Sequence, residues 1–197
     1  MTQPFQIIHG LPKGYEQAAA KLYWEAFGAK LRILMGPATR AEGFFAATLH
    51  HNSIIAAVSP ENKLLGIAAV KLNGIGFSDA NLTTLFRHYG IGTLWKIIPL
   101  AMLERTPPKD TLQMDGICVS SAARGMGVGT ALLDAVFETA RQNNLPKVTL
   151  DVIDTNPRAK SLYERRGFVA TSEESTSILQ PLLGFKSATK MVKDVTP

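Results

Sequence analysis

The stretch Val119-Ser120-Ser121-Ala122-Ala123-Arg124-Gly125-Met126-Gly127-Val128-Gly129-Thr130 decides how this 197-residue chain is read. Before it, residues 112–119 alternate. Leu112, Met114, Gly116 and Cys118 face one side of a predicted strand, and Gln113, Asp115, Ile117 and Val119 face the other. After it, Val128, Ala131, Leu132, Ala135, Val136 and Ala140 recur at helical spacing, with Thr130, Asp134, Glu138 and Gln142 opposite. The glycines therefore stand where a strand becomes a helix. The first amides of a helix have no partner inside it, and the helix dipole adds positive charge there. Glycine lets the backbone approach a ligand closely, so an anion such as a pyrophosphate can bind those amides. The alternative is a glycine-rich strand–helix turn with no ligand.

Two phosphate loops are excluded by spacing. No Gly-Lys-Ser/Thr run follows the glycines, and Gly125 and Gly127 are followed by Thr130 where the dinucleotide fingerprint needs a third glycine. The pattern Arg124-x-x-Gly127-x-Gly129 instead resembles the acetyl-CoA loop, Gln/Arg-x-x-Gly-x-Gly/Ala, of the GNAT superfamily of N-acetyltransferases. A second stretch, Asn156-Pro157-Arg158-Ala159-Lys160-Ser161-Leu162-Tyr163-Glu164-Arg165-Arg166-Gly167-Phe168, resembles that family's next motif, Asn-x-x-Ala-x-x-Leu/Phe-Tyr-x-x-x-Gly-Phe, at every fixed position. Together they cover residues 112–168.

Composition bounds the rest. A hydrophobic content of 46% suits one globular domain with a sizeable core, taken as residues 1–197. The single cysteine excludes an internal disulfide, and Cys118 reads as a small buried hydrophobe more readily than as a nucleophile. No signal pattern opens the chain, and the most apolar run, 91–103, contains Lys96 and Pro99 and is too short to span a bilayer. A cytoplasmic protein without a membrane partner is expected. The net charge of +5 suits an anionic ligand such as coenzyme A, while its dispersed basic residues argue against nucleic acid. His9, His50, His51 and His88 lack metal-ligand spacing, so no metal is expected.

Along the chain the patterns predict a strand over 5–9 and a helix over 15–30 with Tyr15, Ala18, Leu22 and Ala26 inward. A second helix follows over 39–50, then a hairpin of strands 53–58 and 63–72 around Pro60-Glu61-Asn62. Residues 73–110 read as an insertion, largely helical over 82–105 with a bend at Gly90, Gly92 or Pro99, serving as a lid, a dimer face or a cover for the sheet. A strand is expected over 147–154, with Val148, Leu150 and Val152 on one face. Asn156 and Pro157 are a helix cap and first-turn proline, and Gly167 is a helix stop. A strand over 168–171, a loop over 172–183 and a strand over 185–192 complete the order.

The resemblance implies a mixed, mostly antiparallel, twisted α/β sheet flanked by helices. Its fourth and fifth strands run parallel and splay to admit coenzyme A. It further implies an enzyme that moves an acetyl group from acetyl-CoA directly to a primary amine. An alkylammonium, with a pKa near ~10, must first lose a proton. Asp115 is the candidate base; a hydrogen bond to a neighbouring strand, or a water chain doing the same task, is the alternative. The Val119 amide is the candidate oxyanion donor. Tyr163 is the candidate general acid, or else a packing residue on the apolar face of Ala159 and Leu162. The coenzyme would lie against Ile117, Cys118 and Val119, with its pyrophosphate on Arg124, Gly125, Met126, Gly127, Val128, Gly129 and Thr130. Asn156 and Tyr163 would meet its pantetheine arm.

The acceptor is expected near the first helices, the insertion and the late loop, where Trp24, Glu25, Asp79 and Asp115 are the candidate contacts and Glu42, Glu173 and Glu174 lie nearby. A small cationic amine such as an aminoglycoside or polyamine is expected, which would make antibiotic resistance a role. The alternatives are a protein N-terminus or lysine, and a non-catalytic acyl-CoA-binding module. A homodimer is left open.

Overall fold

A computed structural model describes residues 4–72, 74–78, 82–90, 110–175, 180 and 184–196. The strands are β1 Gln6–His9, β2 Ile54–Val58, β3 Leu64–Lys71, β4 Thr111–Val119, β5 Lys147–Ile153, β6 Val169–Ser175 and β7 Ser187–Asp194. The helices are α1 Glu16–Met35, α2 Ala38–Thr48, α3 Leu82–Tyr89, α4 Val128–Gln142 and α5 Pro157–Arg165. The strands form one sheet in the order β1-β2-β3-β4-β5-β7-β6. Every neighbouring pair is antiparallel except β4 and β5.

Both faces of the sheet are covered at β2 and β3, which is why these strands read as unbroken apolar runs. Ile55 and Ala57 of β2 and Ala68 and Val70 of β3 pack under α4. Ile54, Ala56 and Val58, with Ile67 and Ala69, pack under α1 and α2. The α4 stripe is Val128, Ala131, Leu132, Leu133, Val136, Phe137 and Ala140, one broad face at helical spacing. Asn156 accepts from the Ala159 amide at 3.2 Å and caps α5 ahead of Pro157. Gly167, at φ +84°, stops it.

Several expectations are corrected. The first helix runs on to Met35, and its inner face is Ala19, Ala20, Leu22, Leu31 and Leu34, with Tyr23 and Phe27 against the same core. Ala18 and Ala26 are exposed. Two inward aromatics bury far more area than two alanines, so they set the rotation of the helix. Residues 172–175, expected in a loop, continue β6 with all seven residues exposed. The strand expected over 185–192 is shifted to Ser187–Asp194.

The insertion is described in part. Leu72 and Ile75 exchange two 3.0 Å backbone bonds in a tight turn. The chain then runs beside the end of α2, where the His50 amide donates to the Phe77 carbonyl at 2.9 Å. α3 lies on α2 through the Phe44 and Tyr89 rings, 5.6 Å apart, and ends at Gly90 with φ +61°. The rest of the predicted helix, 91–105, lies outside the described residues.

Leu132 is fully buried between α4 and the sheet. Leu132→Ala is expected to cost about 2–5 kcal/mol. Urea denaturation checks this: the midpoint falls while the slope stays constant.

Candidate functional site

The site forms where β4 leaves β5. Their parallel register runs from Thr111 opposite Lys147 to Met114 opposite Leu150. β4 continues to Val119 and β5 to Ile153, so the strand ends diverge. The next residue of β4 explains the change of course. Ala69 of β3 opposes Gly116 and Val70 opposes Met114, which makes Asp115 the extra residue of a bulge. A bulge bends its strand and increases the local twist.

The bulge also overturns the strict alternation predicted for residues 112–119. Met114 packs on the α4 side together with Ile117 and Val119. Cys118 packs on the α1 side. Asp115 lies on that α1 side as well, where its Oδ2 accepts from the Phe77 amide at 3.1 Å. It was expected on the face opposite Cys118. An added residue resets the two-residue period, which no pattern in the side chains announces.

Around Asp115 stands an aromatic wall. Tyr23 stacks on Phe77 with centroids 4.0 Å apart and planes 10° apart. Phe27 and Phe45 lie 4.7 and 5.0 Å from the Tyr23 ring. Two glycines permit the approach. A Cβ on Gly116 would sit 2.5 Å from the Phe27 ring, and one on Gly76 would strike Asp115 Oδ2. Tyr23 is pushed well above the ordinary tyrosine value by burial first, then by the charge of Asp115 and the proximity of Cys118.

Tyr163 approaches from the other side. It is 6% exposed in the α4-side core, and its ring meets Phe168 edge-on at 5.7 Å. Burial raises its hydroxyl well above the ordinary value, and Cys118 adds to the shift. Cys118 is thus within electrostatic reach of Tyr23 and of Tyr163.

The glycine loop adjoins both. β4 ends at Val119, a short 3-10 turn spans Ser121–Ala123, and buried Ala123 anchors it. Gly125 and Gly127 have φ of +83° and +82°, with nothing within 4 Å of a would-be Cβ. Gly127 is the N-cap of α4 and offers no side-chain cap; no acid lies in the first turn. Its leading amides, from Val128 to Thr130, are therefore left for an anion. This open cradle fits a pyrophosphate. Gly129 lies in the first turn of α4, where its Cβ would stand 3.5 Å from Leu162 and 3.8 Å from Val119. The two sequence motifs meet there. Arg124 and Met126 are exposed beside the loop. Arg166, also on the second motif, bonds Asp134 and so ties the end of α5 to α4.

The acceptor candidates are dispersed. Trp24 is partly buried and lies along α1 against Gly28, and Glu25 is exposed. Position 25 is about 200° around the helix from position 23. Glu173 and Glu174 are exposed on β6. Asp79 lies outside the described residues. The carboxylate and rings that do meet are Asp115, Tyr23, Phe27 and Phe77. Sequence reasoning did not single out Phe77, and the visible signal that Phe27 lies on β4 was Gly116, a mid-strand glycine that marks close approach by another group. Among the described residues no group of three or more His, Cys, Asp and Glu could hold a metal ion. No helix there is long and apolar enough to cross a membrane.

Comparison with known proteins adds to this geometry. The family model described as Acetyltransferase (GNAT) family matches residues 17–168. A mycothiol acetyltransferase of Beutenbergia cavernae is 30% identical over 142 residues, which are 72% of this chain and 45% of that protein. This chain therefore spans less than half the length of that relative. Among solved structures, a GCN5-related N-acetyltransferase from Kribbella flavida superposes with a TM-score of 0.65 at 17% identity, covering 97% of this chain and 98% of the other. Ard1 from Thermoplasma volcanium superposes with a TM-score of 0.63 at 14% identity, covering 98% and 99%. At those identities the likeness is one of fold.

The approach of Gly76 to Asp115 has a direct test. Gly76→Ala is expected to displace the carboxylate and destabilise the fold by about 1–3 kcal/mol. In the NMR spectrum the Phe77 amide proton then moves upfield as its acceptor is lost; an unmoved resonance would mean the carboxylate tolerates the methyl group.

Proposed function

The chain belongs to the GNAT family of acetyltransferases, and on that premise we propose that it transfers an acetyl group from acetyl-CoA directly to a primary amine. The observation that carries this reading is the meeting of three parts at one divergence of the sheet: an uncapped helix N-terminus, a buried tyrosine and a carboxylate set in an aromatic wall. Acetyl-CoA supplies the activated thioester. The amides of Gly125 to Thr130 hold its pyrophosphate, and Arg124 adds charge at the rim. The bared edge of β4 from Ile117 to Val119, together with Asn156, accommodates the pantetheine arm.

Asp115 takes the proton of the incoming ammonium, directly or through one water, so that the nitrogen lone pair can attack. The Phe77 amide keeps one carboxylate oxygen fixed. The Val119 N–H donates to the oxygen that gains charge. The Tyr163 hydroxyl donates to the departing sulfur. Because burial raises its pKa above the ordinary 10.0, the phenol keeps its proton below about pH 10 and serves as a donor across the working range. The whole chain is read as one such domain, with residues 73–110 an insertion.

The decisive assay is acetyl-CoA-dependent thiol release across small amines, polyamines, aminoglycosides and peptides with free N-termini or lysines. Turnover of a small amine supports the reading. Turnover of peptides alone favours a protein acetyltransferase, and coenzyme binding without turnover favours a non-catalytic module.

Three substitutions separate the roles. Gly127→Val should abolish coenzyme binding in calorimetry while the circular dichroism spectrum persists, since a branched side chain is strained at φ +82°. Tyr163→Phe should lower kcat by about 10²-fold and leave coenzyme affinity and the basic limb of the pH profile unchanged; equal losses in both would make Tyr163 a packing residue. For Asp115→Asn the sign follows from the base being the ionised form. Wild-type rate falls as pH drops and the carboxylate protonates, so the variant should lose that acidic limb; a persisting limb would exclude Asp115 as base.

A further inference from the structure

Given the acetyltransferase reading above, the carboxylate of Asp115 must be held in place, and the aromatic wall shows how. Its contacts close a circuit that starts and ends on β4. The Phe77 amide donates to Asp115 Oδ2 at 3.1 Å. The Phe77 ring lies flat on Tyr23, with centroids 4.0 Å apart and planes 10° apart. Tyr23 meets Phe27 at 4.7 Å, one turn further along α1. Phe27 in turn lies on Gly116, the neighbour of Asp115, so closely that a Cβ there would stand 2.5 Å from its ring. One turn of α1 thus sets the spacing between β4 and the loop that carries Phe77.

Other supports of that loop come from α2. The His50 amide holds the Phe77 carbonyl at 2.9 Å, and the Thr48 hydroxyl meets that of Ser78 at 2.8 Å. Phe45 backs the stack, 5.0 Å from Tyr23 and 5.8 Å from Phe77. These contacts tie the loop to α2, whereas the Tyr23 stack ties it to α1 and, through Phe27, to β4.

We propose that Tyr23 is a positioning residue for the acetyl transfer: its ring, stacked on Phe77 and set by Phe27 on Gly116, holds the Phe77 amide on the carboxylate of Asp115. A hydrogen bond of this kind favours the ionised carboxyl, the form that takes the proton from the ammonium. Without the stack the amide withdraws, the ionised form loses that donor, and the carboxyl protonates at a higher pH. The titratable groups around it are Tyr23 of α1, Cys118 on the same face of β4, Lys71 of β3, whose stem comes within 3.7 Å of the Gly76 Cβ position, and His50 after α2, whose Nδ1 meets the Ser53 hydroxyl at 3.0 Å. Cys118, Lys71 and His50 are untouched in every variant below.

The test follows kcat/KM against pH for the amine turned over best and, in the same proteins, the Phe77 amide resonance in NMR. In the wild type that resonance should titrate with the midpoint of the acidic limb. Tyr23→Leu should raise both midpoints by about one pH unit, lower kcat by about tenfold and leave coenzyme affinity unchanged. Phe77→Leu removes the other ring and keeps the amide; it should shift the midpoint alike, and the double variant should shift it no further. Tyr23→Phe keeps the stack and should restore the wild-type midpoint. Thermal melts establish that each variant is folded. Unmoved midpoints in folded Tyr23→Leu, or a shift in Tyr23→Phe as large as in Tyr23→Leu, would overturn the assignment and leave acetyl transfer standing. A wild-type Phe77 resonance that ignores pH would overturn it without any variant. Turnover of no amine, with coenzyme bound, would overturn the acetyltransferase reading, and the Phe77 resonance would still decide whether Tyr23 holds the carboxylate.

Discussion

The divergence of β4 from β5 is the constraint on which the remaining structure depends. Parallel strands with a continuous register leave no room between them. Here the register ends at Leu150, one residue before β4 gains its bulge at Asp115. The bulge bends β4, and its course then delivers Val119 to the glycine loop and Asp115 to the aromatic wall. A single inserted residue thus connects a backbone feature of the sheet to both ends of the site.

Packing on the two faces holds that opening in place. On one face, Val128 and Leu132 of α4 lie over Gly66 of β3, where a Cβ would meet each at 3.1 Å. On the other, Phe27 lies on Gly116. Glycines in mid-strand weaken a sheet by themselves. Here they let a helix on each side come close to β3 and β4, and the apolar area buried there offsets the loss. Arg166 adds a further tie: it bonds Asp134, its guanidinium stands 6.0 Å from the Phe137 ring, and its Nε is buried without a partner among the described residues. Through it α5, which carries Tyr163, is held to α4, which carries the anion cradle.

Electrostatics divides the site into a wet end and a dry end. The loop is exposed at Arg124, Gly125, Met126 and Gly127, and the chain carries a net charge of +5, so an anionic ligand meets open amides in a favourable field. Tyr163 and Tyr23 are desolvated, and both phenols hold their protons more tightly than a free tyrosine. Cys118 lies close enough to influence both. Proton donors and a carboxylate in a dry setting act more strongly than the same groups in water.

Much of this was legible in the residues. The apolar period of α4, the Asn156-Pro157 start of α5 and the turn residues of the β2–β3 hairpin are local signals that local chemistry produces, and the glycine loop falls between a strand and a helix for the same reason. The rotation of α1 was not legible, because Ala18 and Ala26 fit a helical period as well as Tyr23 and Phe27 do. Only the presence of β4 beneath α1 selects the aromatic face. The Asp115 bulge was hidden too, since it is a mismatch between two strands and residues 112–119 contain one of them. Sequence by itself determined the order of the helices and strands and the glycine turn between β4 and α4, because those rest on contacts within a few residues. Tertiary structure decided which face Asp115 occupies and which rings surround it, because those depend on register and close approach between segments some forty to ninety positions apart.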